Sequence, residues 1–329
     1  MITAIIPIDL SRRSKDITSR ALLLSEYYEK TNIKIIYGVN NRNTRQDKKF
    51  LKAIQKFKNT TVNIINSNST LVNTSLLRNV AFEGVKTKYT LLLDVDIYPE
   101  KEIFYKYLTK LEQGKSSFYI LPCLYLTRYG SNILLKKRKK TYELKEDFFN
   151  FSRKEFLHLA SPSSITLLKT SDYQILKGFN ENFEGHGYED FDFLIRLAKL
   201  HNRISFDSDF IVDKPARSPL FATGFRKHLG KLCLEQLLEK DMVMHVFHSK
   251  NDINDYYSRR QQNFIEFKCK HGLNLSERVY SEPSLLNLFL SSIYDKHIDV
   301  TGYSILFENK PGHIDRYDTF KRKMRFLFK

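Results

Sequence analysis

Four short apolar, β-branched runs punctuate the first hundred residues, and stretches with helical spacing separate them. Ile2–Ile8, Ile33–Val39, Val62–Ile65 and Tyr89–Leu93 read as strands. Between them lie apolar positions at helical spacing over Ile17–Tyr28, a charged helix reaching about Lys58, and a helix over Leu71–Val85. Short buried strands alternating with helices imply βαβ units, hence an α/β fold with a mixed, mainly parallel sheet flanked by helices on both faces. In such sheets ligands bind beyond the carboxyl ends of the strands. Asp9, Asn40 and Asp94 all fall at such ends, so the pattern predicts that three separated segments converge on one crevice.

Further along, Lys101–Leu111 reads as a helix and Ser117–Leu126 as one strand, followed by a polar stretch read as a loop that holds the basic run Lys136–Lys140. Ser163–Leu168 reads as a strand, and Ser171–Leu176 as a short helix stopped by Gly178. Glu189–Leu200 is an amphipathic helix and Met242–Phe247 a last strand. From about Asp252 the character changes to helices and aromatic loops. The expected organisation is therefore an α/β domain over 1–250 and a helical extension with a basic tail over 251–329.

With only 12 glycines and 8 prolines in 329 residues, linker-like and collagen-like readings are excluded. No apolar run approaches the roughly 18 residues of a bilayer span, and the start lacks the features of a secretory signal. Cys123, Cys233 and Cys269 are too scattered for a disulfide framework or a metal knuckle; they read as packed thiols in a reducing cytoplasm. Lys and Arg exceed Asp and Glu by 54 − 37 = 17, which favours anionic partners: nucleic acid, an anionic membrane face or phosphorylated substrates. No zinc-finger, RNP or basic-zipper pattern supports nucleic acid. The tail, Lys321–Lys329, mixes five basic residues with Met324, Phe326, Leu327 and Phe328, a composition suited to an anionic membrane surface.

Three segments carry chemistry. Asp94 and Asp96 follow a fully apolar strand, and two carboxylates at i and i+2 suit a hard divalent cation and a nucleotide. In the segment Gly185–His186–Gly187–Tyr188–Glu189–Asp190, glycines allow close backbone approach to a ligand, and the two acids open a helix whose dipole favours their ionised forms. Successive helical residues diverge by about 100°, so Glu189 and Asp190 take different roles, one as base and the other as hydrogen-bond acceptor for a substrate. In the third segment, Met242–Ser249, His245 and His248 lie on opposite faces if the run is extended, so one of them reaches a shared ligand.

The ordered set Ile5–Ile6–Pro7 with Arg12 or Arg13, then Arg78–Asn79, Asp94–Val95–Asp96 and Gly185–Asp190 resembles the nucleotide-diphospho-sugar transferases of the GT-A fold. It is similar above all to bacterial family 2-type glycosyltransferases of polysaccharide synthesis, with β1,4-galactosyltransferase and chondroitin-polymerase relatives. The resemblance spans roughly residues 1–250. It implies that Asp94 faces the nucleotide and also belongs to the metal set, that Asp96 coordinates Mn²⁺ or Mg²⁺, and that a histidine is the third ligand, His248 before His245. It further implies that Arg78 holds the diphosphate, that Pro7 and Arg12 line the base pocket with Asp9 and Asn40 beside them, that Asp190 is the general base, and that Glu189, His186, Gly187 and Tyr188 meet the acceptor. His186 stands where relatives carry tryptophan, and Asn40–Asn41 where many carry aspartate. The implied reaction is inverting transfer from a UDP-sugar donor to an oligosaccharide or lipid-linked acceptor in capsule, O-antigen or lipooligosaccharide synthesis, by a cytoplasmic enzyme at the inner membrane face. A sugar-1-phosphate nucleotidylyltransferase is the enzymatic alternative, but it would open with a glycine-rich loop that Pro7–Ser11 lacks; a basic nucleic-acid- or membrane-binding protein is the non-enzymatic one.

Overall fold

The computed structural model describes residues 1–67, 69, 71–214, 216–249, 258–272 and 283–308. The chain forms two compact units, each assembled from separated segments. The first comprises Met1–Ile120, Ser164–Arg203 and Ser249–Gly272; the second comprises Leu121–Ser163, Ile204–His248 and Leu273–Lys329. The units interleave along the chain, and one of the points where it passes between them, His248 to Ser249, lies beside residue 250.

In the first unit, β1 (Ile2–Asp9), α1 (Ser14–Tyr28), β2 (Ile33–Asn40), α2 (Arg45–Ile54), β3 (Thr60–Ile65), α3 (Thr74–Phe82), β4 (Tyr89–Leu92) and α4 (Lys101–Glu112) follow the alternation read from the sequence. β5 (Phe118–Ile120) completes a six-stranded sheet of order β3-β2-β1-β4-β8-β5 together with β8 (Thr166–Lys169). β3, β2, β1 and β4 pair in parallel, and β8 runs antiparallel to both of its neighbours. This is the mixed, mainly parallel sheet flanked by helices that the GT-A resemblance implies. β1 is buried almost throughout, as a central strand covered on both faces must be. Gly38 on β2 lets α3 press against the sheet, because a Cβ there would lie 1.8 Å from the Leu77 carbonyl oxygen.

The strand expected over 117–126 is two strands in different sheets. β5 stops at Ile120, and β6 (Cys123–Leu126) belongs to a three-stranded sheet of the second unit. Pro122 lies between them and has no N–H to carry a ladder onward. In the second unit α5 (Arg128–Leu135) and α6 (Thr141–Phe149) flank the basic run, which is a tight link between helices rather than a long loop. β6 pairs antiparallel with β7 (Phe156–Ala160) and parallel with a late strand, Val243–His245. In chain order the remaining elements are α7 (Thr170–Ile175) and α8 (Glu189–Leu200) of the first unit, α9 (Gly224–Lys231), α10 (Leu234–Leu238) and the late strand β9 of the second, α11 (Arg260–His271) of the first, and α12 (Leu285–Asp295) of the second. Cys123 and Cys233 are packed thiols as expected, whereas Cys269 is exposed on α11. The basic tail lies outside the described residues.

Candidate functional site

The four parallel strands of the first unit end on one side, and the acids that follow them are held by arginines. Arg78 on α3 is 1% exposed and sits between two carboxylates. Its Nη2 donates to Asp94 Oδ1 at 2.7 Å and its Nη1 to Asp190 Oδ1 at 2.6 Å, while the guanidinium lies 4.8 Å from the centre of the Phe179 ring. Asp94 Oδ2 also accepts from Ser164 Oγ at 2.7 Å. Both carboxylates keep 30% of their side-chain exposure, so each faces the arginine on one side and the surface on the other. One buried cation thus fixes the strand-end acid beside the helix-start acid. Within the chain, the guanidinium that the resemblance assigns to a diphosphate is paired with these two carboxylates.

The neighbouring residue, Asn79, organises the loop before α8. Its side-chain oxygen accepts from Phe179 N and Tyr173 Oη, and its Nδ2 donates to the Phe179 carbonyl and to Glu181. The Arg78–Asn79 dipeptide therefore ties both the acids and the segment that presents them.

Asp96 is met differently. Arg13 donates to both of its oxygens, at 3.3 and 2.9 Å, and Arg20 pairs with Oδ1. Asp16 joins the same group through Arg13 at 3.0 Å and Arg20 at 3.2 Å. Beside it, Asp9 accepts from Ser11 N, Asn40 Nδ2 and Arg42 Nη2. Asn40 is held at both ends, since its oxygen also accepts from Ser67 N at 3.0 Å. Its side chain therefore joins β1 to the turn after β3. Pro7 is half-buried opposite Gly38 in the β1–β2 register, and Arg12 is half-buried in the turn after β1.

The segment before α8 adopts left-handed backbone at Gly185 (φ 72°), Gly187 (φ 104°) and Tyr188 (φ 73°). Such a conformation costs energy at a tyrosine and has to be held by its surroundings. α11 holds it. Asn263 Nδ2 donates to the Glu184 carbonyl at 2.9 Å and the Gly187 carbonyl at 3.1 Å, and the Tyr188 ring stacks on Phe264 at 5.0 Å under the Arg260 guanidinium. Deeper on the same helix, His271 Nε2 lies 2.9 Å from Asp192 Oδ1. Tyr188 is only 4% exposed, so its ring is packed inside rather than offered to an acceptor; His186 is half-buried. α11 lies beyond the boundary drawn from sequence, and Asn263 carried no motif that would have singled it out.

Glu189 and Asp190 occupy the first turn of α8. Burial, reinforced by the charge of Asp190, pushes Glu189 up to about 8, and its Oε2 has no hydrogen-bond partner among the described residues. Burial raises Asp190 as well, against the pull of Arg78. The ion pair and the remaining exposure keep Asp190 the ionised member of the two, so Glu189 holds the proton near neutrality. An ionised carboxylate beside a neutral carboxylic acid can accept a proton from one hydroxyl and donate a hydrogen bond to another.

In the second unit the expected strand 242–247 is shorter, so strict alternation does not govern both histidines. β9 ends at His245, and the rings of His245 and His248 lie 5.4 Å apart. His245 stacks on Tyr125 of β6 at 4.1 Å, and His158 of β7 stacks on the same tyrosine at 4.3 Å. Phe247 N donates to Ser131 Oγ of α5 at 2.7 Å, which fixes the turn toward His248.

A family profile described as "Glycosyltransferase like family 2" matches residues 3–270. No curated protein sequence matches. Among solved structures, the chain is similar to S. aureus TarS 1–349 at 16% identity, covering 60% of this chain and 55% of that one, with a TM-score of 0.37. The catalytic domain of Drosophila β1,4-galactosyltransferase 7, solved with xylobiose, is similar at 14% identity, 61% of each chain and a TM-score of 0.33. The mannosyltransferase PcManGT of Pyrobaculum calidifontis, solved with GDP-Man and Mn²⁺, is similar at 10% identity over 92% of this chain and 73% of that one, with a TM-score of 0.44.

Proposed function

Because the chain belongs to the glycosyltransferase like family 2, we propose that it moves a sugar from a UDP-sugar to a saccharide hydroxyl, with inversion and with a divalent cation. The observation that carries this reading is Arg78, which joins Asp94 at the end of β4 to Asp190 at the start of α8. Asp94 faces the nucleotide. Asp190, ionised against Arg78, takes the proton of the acceptor hydroxyl as that oxygen attacks the anomeric carbon. Attack from the face opposite the departing nucleotide inverts the configuration. Neutral Glu189 donates a hydrogen bond to the acceptor through its O–H, so it orients the acceptor while the ionised Asp190 takes the proton. Family membership decides for a transferase over the nucleotidylyltransferase alternative.

For the cation we propose Asp96 with His245 or His248, a carboxylate and imidazole set that suits Mn²⁺ or Mg²⁺ in that order. The two imidazole rings lie 5.4 Å apart, and Asp96 offers an anionic oxygen in the turn after β4. When bound, such an ion offsets charge on the leaving diphosphate. Arg13 and Arg20 hold Asp96 in place and add positive charge beside it. The acceptor fits an oligosaccharide or lipid-linked saccharide of bacterial surface-polysaccharide synthesis, and no described helix is long and apolar enough to cross a membrane.

A panel of UDP-sugars and GDP-mannose, each incubated with Mn²⁺ and again with EDTA, tests the reading. Release of UDP from at least one UDP-sugar, abolished by EDTA, is the expected result. Turnover of GDP-mannose alone would reassign the donor, and turnover unchanged by EDTA would remove the cation.

A further inference from the structure

The basic run between α5 and α6 is an ordered, exposed feature that the transfer reaction does not use. Lys137 N donates to the Leu134 carbonyl at 3.0 Å and Arg138 N to the Ile133 carbonyl at 2.9 Å, closing α5, while Glu143 accepts from Lys140 N at 2.7 Å and opens α6. The backbone therefore presents the five cations Lys136–Lys140 from a fixed turn. Lys139 is tied to Asp147 at 2.5 Å, whereas Lys136, Lys137 and Arg138 are exposed and have no ion-pair partner among the described residues.

Large apolar side chains share this surface. On α5 the exposed positions 128, 129, 132, 135 and 136 fall within one stripe at about 100° per residue, and Gly130, Ser131, Ile133 and Leu134 are buried. The stripe includes Tyr129 at 44% and Leu135 at 43% exposure, and across the turn Tyr142 is 54% exposed. Lys154 lies 4.0 Å over the Tyr129 ring, adding another cation.

We propose that this α5–α6 turn is a docking surface for an anionic lipid bilayer. Two requirements meet here that a soluble polyanion satisfies only by half. The lysines and arginine call for phosphate-bearing headgroups, and the exposed leucine and tyrosines call for an apolar phase directly beneath them, with tyrosine suited to the boundary between the two. The surface lies within the second unit and does not involve residues 321–329. It stands apart from the transfer reaction, because vesicle binding is read without any substrate.

The test is co-sedimentation of the full-length chain with phosphatidylcholine vesicles, with and without phosphatidylglycerol, at low and high salt. Wild type should bind only the phosphatidylglycerol vesicles and release at high salt. Each basic residue near such a surface contributes roughly fivefold, so the Lys136→Glu/Lys137→Glu/Arg138→Glu variant should bind at least ~100-fold more weakly. The Leu135→Ser/Tyr142→Ser variant should lose vesicle binding while keeping wild-type retention on polyphosphate. All five positions are exposed, and circular dichroism would verify that the variants fold. Three results would overturn the proposal: no vesicle binding by wild type, equal binding by the charge-reversed variant, or a Leu135→Ser/Tyr142→Ser variant indistinguishable from wild type on vesicles, which would assign the turn to a soluble polyanion.

Discussion

The two acids of Asp94–Val95–Asp96 are two residues apart, yet the fold treats them oppositely. At Asp94 one fully buried arginine is shared by two carboxylates that stay 30% exposed. At Asp96 two half-buried arginines converge on one carboxylate that is 9% exposed. The first group has surplus negative charge facing the surface and the second is balanced by Asp16. A carboxylate beside one fixed cation stays partly open to the surface, whereas one met by two arginines is largely enclosed. The comparison teaches that a pair of like residues at one strand end can divide its work when different helices supply the counter-ions.

Arg78→Ala breaks the first group most severely. It leaves Asp94, Asp190 and Glu189 without their common cation, and removing one partner of a buried ion pair costs about 3–5 kcal/mol. The remaining exposure of both aspartates points to the low end, about 3 kcal/mol, with transfer abolished. Chemical denaturation alongside a turnover assay checks both; a variant as stable and active as wild type would remove Arg78 from the account.

Asp96→Ala sharpens the contrast. Arg13 and Arg20 retain Asp16, so the expected loss of stability is about 1–2 kcal/mol, the scale of hydrogen bonds to charged groups. Mn²⁺-dependent turnover should nevertheless disappear. Unchanged Mn²⁺ dependence in this variant would move the ion elsewhere.

A smaller effect comes from Glu189. Its folded-state value is raised from 4.5 to about 8, so its contribution to stability is fully present below about 4.5 and is lost as pH rises through about 8. Tm should therefore fall across that window in wild type, and Glu189→Gln should flatten the decline. The same neutral hydrogen-bond donor predicts that wild-type kcat/KM falls above about pH 8 and that the glutamine variant loses this limb. Parallel pH profiles for the two proteins would count against a neutral Glu189.

Arg20→Ala should matter least for stability, by less than about 1 kcal/mol, because Arg13 continues to hold both oxygens of Asp96. A thermal melt is enough to check it.

The parallel sheet was legible because its strands are buried on both faces and read as unbroken apolar runs, and the turn chemistry placed Asp9, Asn40 and Asp94 at their ends. The Glu189–Asp190 pair was legible as two acids behind glycines. The three-stranded sheet was not, since β6, β7 and β9 have only four, five and three residues and β6 pairs with a strand more than a hundred positions away. Strands so short leave little period to read, and Pro122 hid inside what looked like one run. Nor did the sequence mark the partners: Arg20 is one charged residue on a charged helix, and Asn263 matters only because it reaches the carbonyls of 184 and 187. An ion pair or a clamp is a property of two distant segments at once.

In the proposed reaction Arg78 joins a donor-side acid to an acceptor-side base. The most direct measurement is therefore paired: the Kd for UDP with Mn²⁺ and the kcat for sugar transfer, in Asp94→Asn and in Asp190→Asn. Asp94→Asn should weaken UDP binding by about tenfold, a loss of about 1.4 kcal/mol. Asp190→Asn should leave UDP binding within about twofold of wild type while kcat falls at least ~100-fold, the lower end expected for loss of a general base. Equal loss of UDP binding in the two variants, or an Asp190→Asn enzyme with near-normal kcat, would contradict this division between the two acids.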